Sequence, residues 1–188
     1  DGAQGLVFWL GYCKEVTEAG LRWHAPVPVE SVEIVNVQQI RTVEVGYRTK
    51  TRSNQFATVP QEALMLTKDE NIIDIQFAVQ YDVKDPRDLL FNISEDPDQV
   101  VRQATESSVR EIVGRNTMDF AITGGRAVIA QDTSLLLQNI LDRYKTGINV
   151  KAVEMQKTQP PSAVKGAFDE AVKAREDEVK FKNDAQAY

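Results

Sequence analysis

The residue types that most often carry out chemistry at neutral pH are scarce in this sequence. Its 188 residues include one cysteine, Cys13, and one histidine, His24. A nucleophilic cysteine needs a neighbouring base and a lowered thiol pKa, and no histidine stands near Cys13. A lone histidine between Trp23 and Ala25 is more often structural than a ligand or a switch. We therefore predict structural roles for both residues, and a single cysteine leaves the redox compartment open.

The adjacent carboxylates Asp69 and Glu70 come closest to an acid–base or metal site. General acid–base catalysis needs two groups that converge on one substrate, and a hard cation needs more oxygen ligands than two. Lys68-Asp69-Glu70-Asn71 is typical of a hairpin turn, in which neighbouring side chains point apart. Gly124-Gly125-Arg126 at a helix start could bind an anion, but no strand precedes it as in a phosphate-binding loop. We predict two turns and no catalytic, cofactor-binding or metal-binding residues.

The charge of the chain disfavours binding to nucleic acid. The net charge is -6 at pH 7, and an acidic surface repels phosphate backbones. Arg48, Lys50 and Arg52 lie in the polar stretch 48–60, which we predict to be a loop. Three cations there could meet lipid headgroups or an acidic partner, although such charges are more often simply solvated. We expect neither nucleic acid nor a small-molecule substrate.

Aromatic residues and prolines near the start of the chain suggest contact with a membrane. The longest purely apolar run, residues 6–10, is far shorter than the roughly 20 residues of a spanning helix. Tryptophan favours the bilayer interface because its ring is apolar and its N–H is polar. We predict that one group of residues faces the membrane, with an ordinary core role as the alternative: Phe8, Trp9, Trp23, Pro26 and Pro28.

The first half of the chain is rich in strand patterns. Residues 6–10 predict a strand that returns at 21–24 after a polar connection from Gly11 to Gly20, and residues 32–47 predict a longer one. Short strand 64–66 leads through the turn at 68–71 into the clearest signal, six apolar residues at period two from Ile73 to Val83. That alternation predicts a long strand with one buried face.

The second half is mainly helical. Asp96 and Pro97 suit the cap and first position of a helix that Gly114 would end, and a further helix is predicted over 124–144. A strand over 148–155 changes its apolar parity at Ala152, which predicts a bulge or burial on both faces. Because strands and helices are segregated, we predict the α+β class.

A charged, alanine-rich helix is predicted from Pro160-Pro161 to the end of the sequence. Its apolar stripe is narrow and has near-heptad spacing, so the helix buries little on its own. We predict that this stripe packs against a helix of another subunit, with a solvated helix as the alternative: Val164, Phe168, Ala171 and Val179.

Several motifs resemble one protein family. Residues 65–71 (MLTKDEN), 79–83 (VQYDV) and Asp85-Pro86 resemble the HflK branch of the SPFH (band-7, stomatin–prohibitin-like) family. Further blocks match in the same order: Arg102-Gln103-Ala104-Thr105, Thr117-Met118-Asp119, Gly125-Arg126, and Pro160-Pro161 with the helix after it. Gly20-Leu21-Arg22-Trp23 is similar to a motif of the wider family, with Ala19 in place of its usual proline. The stretch from Arg48 to Pro60 matches least well.

The resemblance implies an SPFH domain and a non-enzymatic scaffold. It implies an SPFH1-like part (1–91), an SPFH2-like part (92–158) and the start of a long helix (159–188). A transmembrane anchor, absent from this fragment, would hold the domain on the periplasmic side of the bacterial inner membrane. An HflC-like paralogue would alternate with it in a ring or cage around an FtsH-type membrane protease, next to the lipid surface.

Two other functions remain open from the sequence. A hydrolase built on a serine–lysine pair or on carboxylates would show a deep pocket with converging polar groups. A stomatin- or prohibitin-like scaffold of membrane microdomains would share the fold but lack the protease partner.

Overall fold

The computed structural model describes residues 2–9, 12–18, 20, 26, 29–50, 55–161 and 165–186. Within these ranges the strands are β1 (Ala3–Trp9), β2 (Tyr12–Glu18), β3 (Glu30–Asn36), β4 (Arg41–Val45), β5 (Tyr47–Lys50), β6 (Gln55–Thr58), β7 (Leu64–Leu66), β8 (Ile72–Val83) and β9 (Ile148–Gln159). The helices there are α1 (Pro60–Ala63), α2 (Pro86–Asn92), α3 (Pro97–Arg115), α4 (Met118–Thr123), α5 (Arg126–Arg143) and α6 (Lys165–Gln186). Strands and helices are largely segregated, which confirms the α+β prediction.

The N-terminal strands form a three-stranded antiparallel sheet in the order β2-β1-β3. β1 lies in the centre, with Gln4 opposite Glu18 on one edge and Ala3 opposite Asn36 on the other. The predicted polar connection between Gly11 and Gly20 is wrong, because 12–18 pairs as β2 although charged residues interrupt any apolar alternation. The predicted return strand at 21–24 lies outside the described residues.

The predicted strand over 32–47 is divided into three strands. β3 belongs to the N-terminal sheet and β4 to the main sheet, so the chain changes sheets between Val37 and Ile40. Gly46 then separates β4 from β5 with a φ of +85°, a conformation that only glycine adopts readily. A Cβ at Gly46 would also meet the Ile75 carbonyl oxygen at 2.8 Å. The Val- and Ile-rich composition of this stretch therefore conceals both the change of sheet and the turn at Gly46.

Strand β8 is the centre of the main sheet. Asp74 pairs with Leu64 of β7 on one edge and with Gln159 of β9 on the other. Further along, β4 occupies the same edge as β7, with Val43 opposite Val79. The alternating residues that predicted the strand form its inner face, and all are buried: Ile73, Ile75, Phe77, Val79, Tyr81 and Val83.

The prediction that only one face of β8 is buried is wrong. Asp74, Gln76 and Ala78 on the outer face are exposed by only 8%, 5% and 6%. The β5–β6 hairpin lies over this face, and the Gln76 amide donates a hydrogen bond to the Thr58 hydroxyl at 3.2 Å. This hairpin occupies the stretch that was predicted to be a loop. The main sheet is therefore covered on both sides for part of its length.

The inner face of the main sheet is covered by α3 and α5, which also pack on each other. Asp96 caps α3 as predicted by accepting a hydrogen bond from the Asp98 N–H, and α3 continues through Gly114 to Arg115. Thr117 caps α4, a short helix that was not predicted. Buried Val101, Val109, Ile129, Leu137 and Leu141 complete the core on the helix side.

Strand β9 continues four residues further than predicted and leads to α6. Its register against β8 shifts twice, so that Lys151 and Gln156 have no residue directly opposite them. The predicted irregularity beside Ala152 is therefore a β-bulge. Because β9 pairs with β8, one sheet joins the predicted 1–91 and 92–158 parts, and that division remains a prediction.

Candidate interaction surfaces

Of the two adjacent carboxylates in the β7–β8 turn, Asp69 has a structural role. The Asp69 carboxylate accepts hydrogen bonds from the Thr67 hydroxyl at 2.6 Å, the Asn71 amide at 2.8 Å and the Met118 N–H at 3.0 Å. These bonds, first of all that from Thr67, hold the pKa of Asp69 below its ordinary value. Glu70 is exposed and has a φ of 62°. Asp69 thus ties the turn to the start of α4, and its neighbour is solvated.

The other candidate reactive positions are also structural where they are described. Cys13 is partly buried and packs against the core. Gly125 donates its N–H to the Phe120 carbonyl at 2.7 Å, and a Cβ there would meet the Phe120 ring at 2.4 Å. This confirms the tight turn at 124–126. His24 lies outside the described residues, and the described part of the chain contains no group of three potential metal ligands.

Arg48 forms hydrogen bonds that link β5 to β4 and α1 within the domain. Its guanidinium donates to the Glu62 carboxylate at 2.6 and 3.0 Å and to the carbonyls of Tyr47 and Glu44 at 2.7 and 3.0 Å. Burial acts to raise the pKa of Glu62, but hydrogen bonds from Arg48 and the Gly46 N–H outweigh it and lower the pKa overall. Arg48 therefore fixes β5 to α1, whereas Arg52 and the side chain of Lys50 lie outside the described residues.

An open groove of about 570 Å³ lies between α3, α5 and the loop that joins α2 to α3. Its apolar wall includes Ile93, Val100 and Ile140, and Glu95 and Arg143 lie among its polar residues. In the part of the chain that the structure describes, the lining pairs no serine with a lysine and has only one carboxylate. The groove therefore lacks the two groups that the hydrolase alternative requires.

The predicted membrane-facing residues lie on two different faces of the N-terminal sheet. Phe8 faces the body of the domain, where its ring centroid is 6.0 Å from that of Phe91. Trp9 lies on the opposite face and is 42% exposed, with the Lys14 ammonium 5.2 Å from its ring centroid. Pro26 is exposed, and Trp23 and Pro28 lie outside the described residues. The structure therefore does not place Phe8 on the same surface as Trp9.

Three exposed residues that sequence reasoning missed share the face of Trp9. Tyr12 is directly opposite Trp9, Val32 is opposite Val7 and Ile34 is opposite Gly5, and opposite residues lie on the same face of a sheet. Tyr12, Val32 and Ile34 are 81%, 42% and 74% exposed. We call these residues with Trp9 the N-terminal apolar face. The common parity of Val32 and Ile34 was a usable signal for it.

Helix α6 carries the predicted subunit-packing stripe, and part of that stripe can be located. Val179 is 53% exposed, Phe168 and Ala171 lie on α6 with side chains that are not described, and Val164 lies outside the described residues. Phe181, which was not predicted, is 70% exposed. Residues two apart on a helix lie about 200° apart, so Val179 and Phe181 give α6 apolar groups on two sides. No described element packs strongly against α6.

None of the helices in the described ranges is both long and apolar enough to cross a bilayer.

The comparisons with known proteins agree with this architecture. Residues 1–188 match the SPFH domain / Band 7 family, and the chain belongs to that family. Within it, the whole chain is 37% identical to Protein HflK of Vibrio parahaemolyticus and 35% identical to the Modulator of FtsH protease HflK of Escherichia coli K12. Protein HflK of Treponema pallidum is 30% identical over 97% of the chain. The chain spans 42%, 41% and 56% of the length of these three relatives.

Proposed function

We propose that this chain is the SPFH domain of a non-enzymatic membrane scaffold that modulates an FtsH-type protease. The observation that carries the proposal is the 35% identity over all 188 residues to a relative whose name is Modulator of FtsH protease HflK. Because the chain covers 41% of that relative, the proposal concerns the full-length protein. In the full-length protein the domain would lie on the periplasmic side of the bacterial inner membrane, held there by a transmembrane anchor.

The mechanism that we propose is assembly through α6. A helix with apolar groups on two sides can pack against two neighbours at once, and a repeated head-to-tail contact closes into a ring. Val179 and Phe181 provide those two sides. An HflC-like paralogue would occupy the alternate positions of the ring. Such an enclosure would restrict which membrane proteins reach the protease inside it.

The N-terminal apolar face is the surface that we propose to contact lipid. Trp9 and Tyr12 combine apolar rings with polar N–H and O–H groups, which suits the bilayer interface. The Lys14 ammonium lies 5.2 Å from the Trp9 ring centroid and 3.5 Å from the Glu30 carboxylate. Because the Lys14 side chain is 55% exposed, it would still place a cation where lipid phosphate can approach. Of the five predicted membrane-facing residues, this proposal retains Trp9 and Pro26 and assigns Phe8 to the contact with Phe91.

The test is co-purification from native membranes. The full-length protein, solubilised in mild detergent, should carry an FtsH-type protease and an SPFH paralogue in a particle much larger than a monomer. Val179→Glu and Phe181→Glu, made separately, should each reduce the particle size and the amount of bound protease. Lys180→Glu, at an exposed position between them, is the control and should change neither.

The stomatin- or prohibitin-like alternative predicts a different result. In that case the large particle forms and depends on α6, but no protease accompanies it. A particle that forms equally well with Val179→Glu and Phe181→Glu would contradict the proposed role of α6.

A further inference from the structure

The N-terminal sheet holds a lysine ammonium between an aromatic ring and a carboxylate. Trp9 of β1 lies directly opposite Glu30 of β3, so the two side chains share the N-terminal apolar face. The ammonium of Lys14, on β2, lies 5.2 Å from the centroid of the Trp9 ring and 3.5 Å from Glu30 Oε1. We call Trp9 and Glu30 the ammonium site.

Both residues of the ammonium site suit a cation that carries N–H groups. An indole ring attracts a cation that lies within about 6 Å of its centroid, and a carboxylate accepts charge-assisted hydrogen bonds from N–H donors. The Glu30 side chain is only 9% exposed, and a buried charge is costly unless it is paired. The site therefore favours an occupant that combines positive charge with hydrogen-bond donors, as the Lys14 ammonium does.

The ammonium site can be reached from solvent although Glu30 is largely buried. Lys14 has no residue directly opposite it, because the register between β1 and β2 shifts there, and its side chain is 55% exposed. The ammonium thus enters the site from the exposed side. A lysine stem is flexible, so Lys14 can swing away without any change in the backbone. The position of its ammonium is then open to an ammonium from outside the domain.

We propose that the ammonium site receives the ethanolamine ammonium of a zwitterionic phospholipid, while Lys14 turns to the phosphate of the same headgroup. In this headgroup two methylene groups join the ammonium to the phosphate, so it presents opposite charges close together, as the Lys14–Glu30 pair does. The exchange gives each of the four charges an opposite partner. This inference rests on the lipid contact in the proposed function and specifies which lipid the N-terminal apolar face prefers.

The chemistry of the site distinguishes among headgroups. A choline headgroup keeps its attraction to the Trp9 ring, but its methylated nitrogen has no N–H to donate to Glu30. A glycerol headgroup has no cation and would bring a phosphate towards the Glu30 carboxylate, where like charges repel each other. Exposed Val32 and Ile34 on the same face contact lipid whatever its headgroup. Lipid contact and headgroup preference can therefore be measured separately.

The experiment is photo-crosslinking of the full-length protein in lipid nanodiscs. The discs contain equal amounts of phosphatidylethanolamine, phosphatidylcholine and phosphatidylglycerol with the same acyl chains. A photoreactive amino acid replaces Val32, which lies two residues from Glu30 on the same face, and mass spectrometry identifies the lipid in each adduct. We expect phosphatidylethanolamine adducts to exceed each of the other two by about threefold or more, because only its headgroup suits both Trp9 and Glu30.

The total yield of lipid adducts separates failure of this inference from failure of the lipid contact. The reference is the same photoreactive amino acid at Leu135 on α5, which is 59% exposed. If position 32 captures no more lipid than position 135, the N-terminal apolar face does not meet the bilayer, and both the inference and the proposed lipid contact are overturned. If position 32 captures lipid without an excess of phosphatidylethanolamine, only the inference is overturned.

Two substitutions in the ammonium site test its role. Glu30→Gln removes the charge that accepts from the ammonium, and Trp9→Leu removes the attraction of the ring for a cation while keeping an apolar side chain. Each should bring the three lipid yields at position 32 close to equality. Glu33→Gln is the matched control, because Glu33 is exposed on the same strand but lies opposite Leu6, on the other face of the sheet. It should leave the preference unchanged.

The total yield at position 32 also shows whether each variant still docks on the bilayer. If Glu30→Gln abolishes all lipid adducts, Trp9→Leu decides the question. If a variant that still captures lipid keeps the full preference for phosphatidylethanolamine, or if Glu33→Gln removes that preference as Glu30→Gln does, the ammonium site does not select the headgroup and the proposal is wrong.

Discussion

The main sheet and α6 differ in how far their apolar side chains are buried. The inner face of β8 is closed by α3 and α5, and Phe77 and Tyr81 are fully buried there. On α6, Val179 and Phe181 remain more than half exposed, and no described element packs strongly against the helix. Apolar burial is thus concentrated in the main sheet and its helices, which we call the body, whereas Val179 and Phe181 of α6 remain exposed to solvent.

This contrast separates folding from assembly. Because the apolar side chains of the body pack against one another, substitutions there should change the free energy of unfolding of the isolated chain. Substitutions on α6 should leave that free energy nearly constant and change the size of the assembly. Matched substitutions in the two regions can therefore test whether folding and assembly depend on different residues.

The largest contrast is expected between two phenylalanines. Phe77→Ala removes a fully buried ring from β8 and should lower the free energy of unfolding by about 3–5 kcal/mol, since it removes buried area and leaves a cavity. Phe181→Ala, at a 70% exposed position, should change it by less than about 0.5 kcal/mol. Urea unfolding of the isolated chain followed by circular dichroism measures both. Similar losses at the two positions would mean that α6 is part of the folded core.

Two glycines extend the comparison to the backbone. Gly147 has a φ of +67°, and a Cβ there would lie 2.1 Å from the Asp85 carbonyl oxygen. Gly147→Ala should therefore cost about 2–4 kcal/mol through strain and displacement of α2. Gly166→Ala on α6, with nothing within 4 Å of its Cβ, should instead raise helix content and add up to about 1 kcal/mol. Thermal unfolding of the two variants tests the sign, and a loss at Gly166 would contradict an unpartnered α6.

The local sequence pattern was sufficient to predict those elements whose signal comes from their own residues. The alternation from Ile73 to Val83 gave β8, and Asp96-Pro97 gave the start of α3. The parity change beside Ala152 gave the bulge of β9. In each case the signal lies in residues that are close together in the sequence. The same reasoning singled out Trp9 and Val179, which are exposed, and their predicted contacts with membrane and subunit remain predictions.

Elements that depend on distant residues were missed. The β5–β6 hairpin is held by Glu62, which Arg48 reaches across 14 positions of the sequence, so 48–60 looked like a loop. β2 pairs with β1 despite its charged residues. Burial of Asp74 and Gln76 requires a second covering layer, which alternation on one strand cannot reveal.

The ion pairs of the body and of α6 differ in burial and should differ in their contribution to stability. Glu62 has a lowered pKa, so its contribution is fully present above the ordinary pKa of 4.5 and is lost as the pH falls through the folded-state pKa. Glu62→Gln should therefore cost about 1 kcal/mol at pH 7, reduced by the partial exposure of Arg48, and the difference should vanish in acid. Urea unfolding between pH 3 and pH 7 measures this dependence.

The matched change on α6 is Glu178→Gln. Glu178 pairs with Lys182 at 2.9 Å, but both side chains are more than 60% exposed. An exposed pair four residues apart on a helix contributes a few tenths of a kcal/mol, so the variant should unfold almost as the parent does. If Glu178→Gln costs as much as Glu62→Gln, the pairs of the two regions are equivalent and this part of the comparison fails.

The smallest expected effect concerns the hydrogen bonding of buried hydroxyl groups in the body. Thr105 and Thr133 are both fully buried, and the Thr105 hydroxyl donates to the Val101 carbonyl at 2.7 Å. The Thr133 hydroxyl has no hydrogen-bond partner among the described residues. Thr133→Val should therefore raise the free energy of unfolding by about 0.5–1 kcal/mol, whereas Thr105→Val should lower it by a similar amount because a satisfied bond is lost. Thermal unfolding of the two variants measures both changes. A loss of stability at both positions would show that the Thr133 hydroxyl has a hydrogen-bond partner in solution.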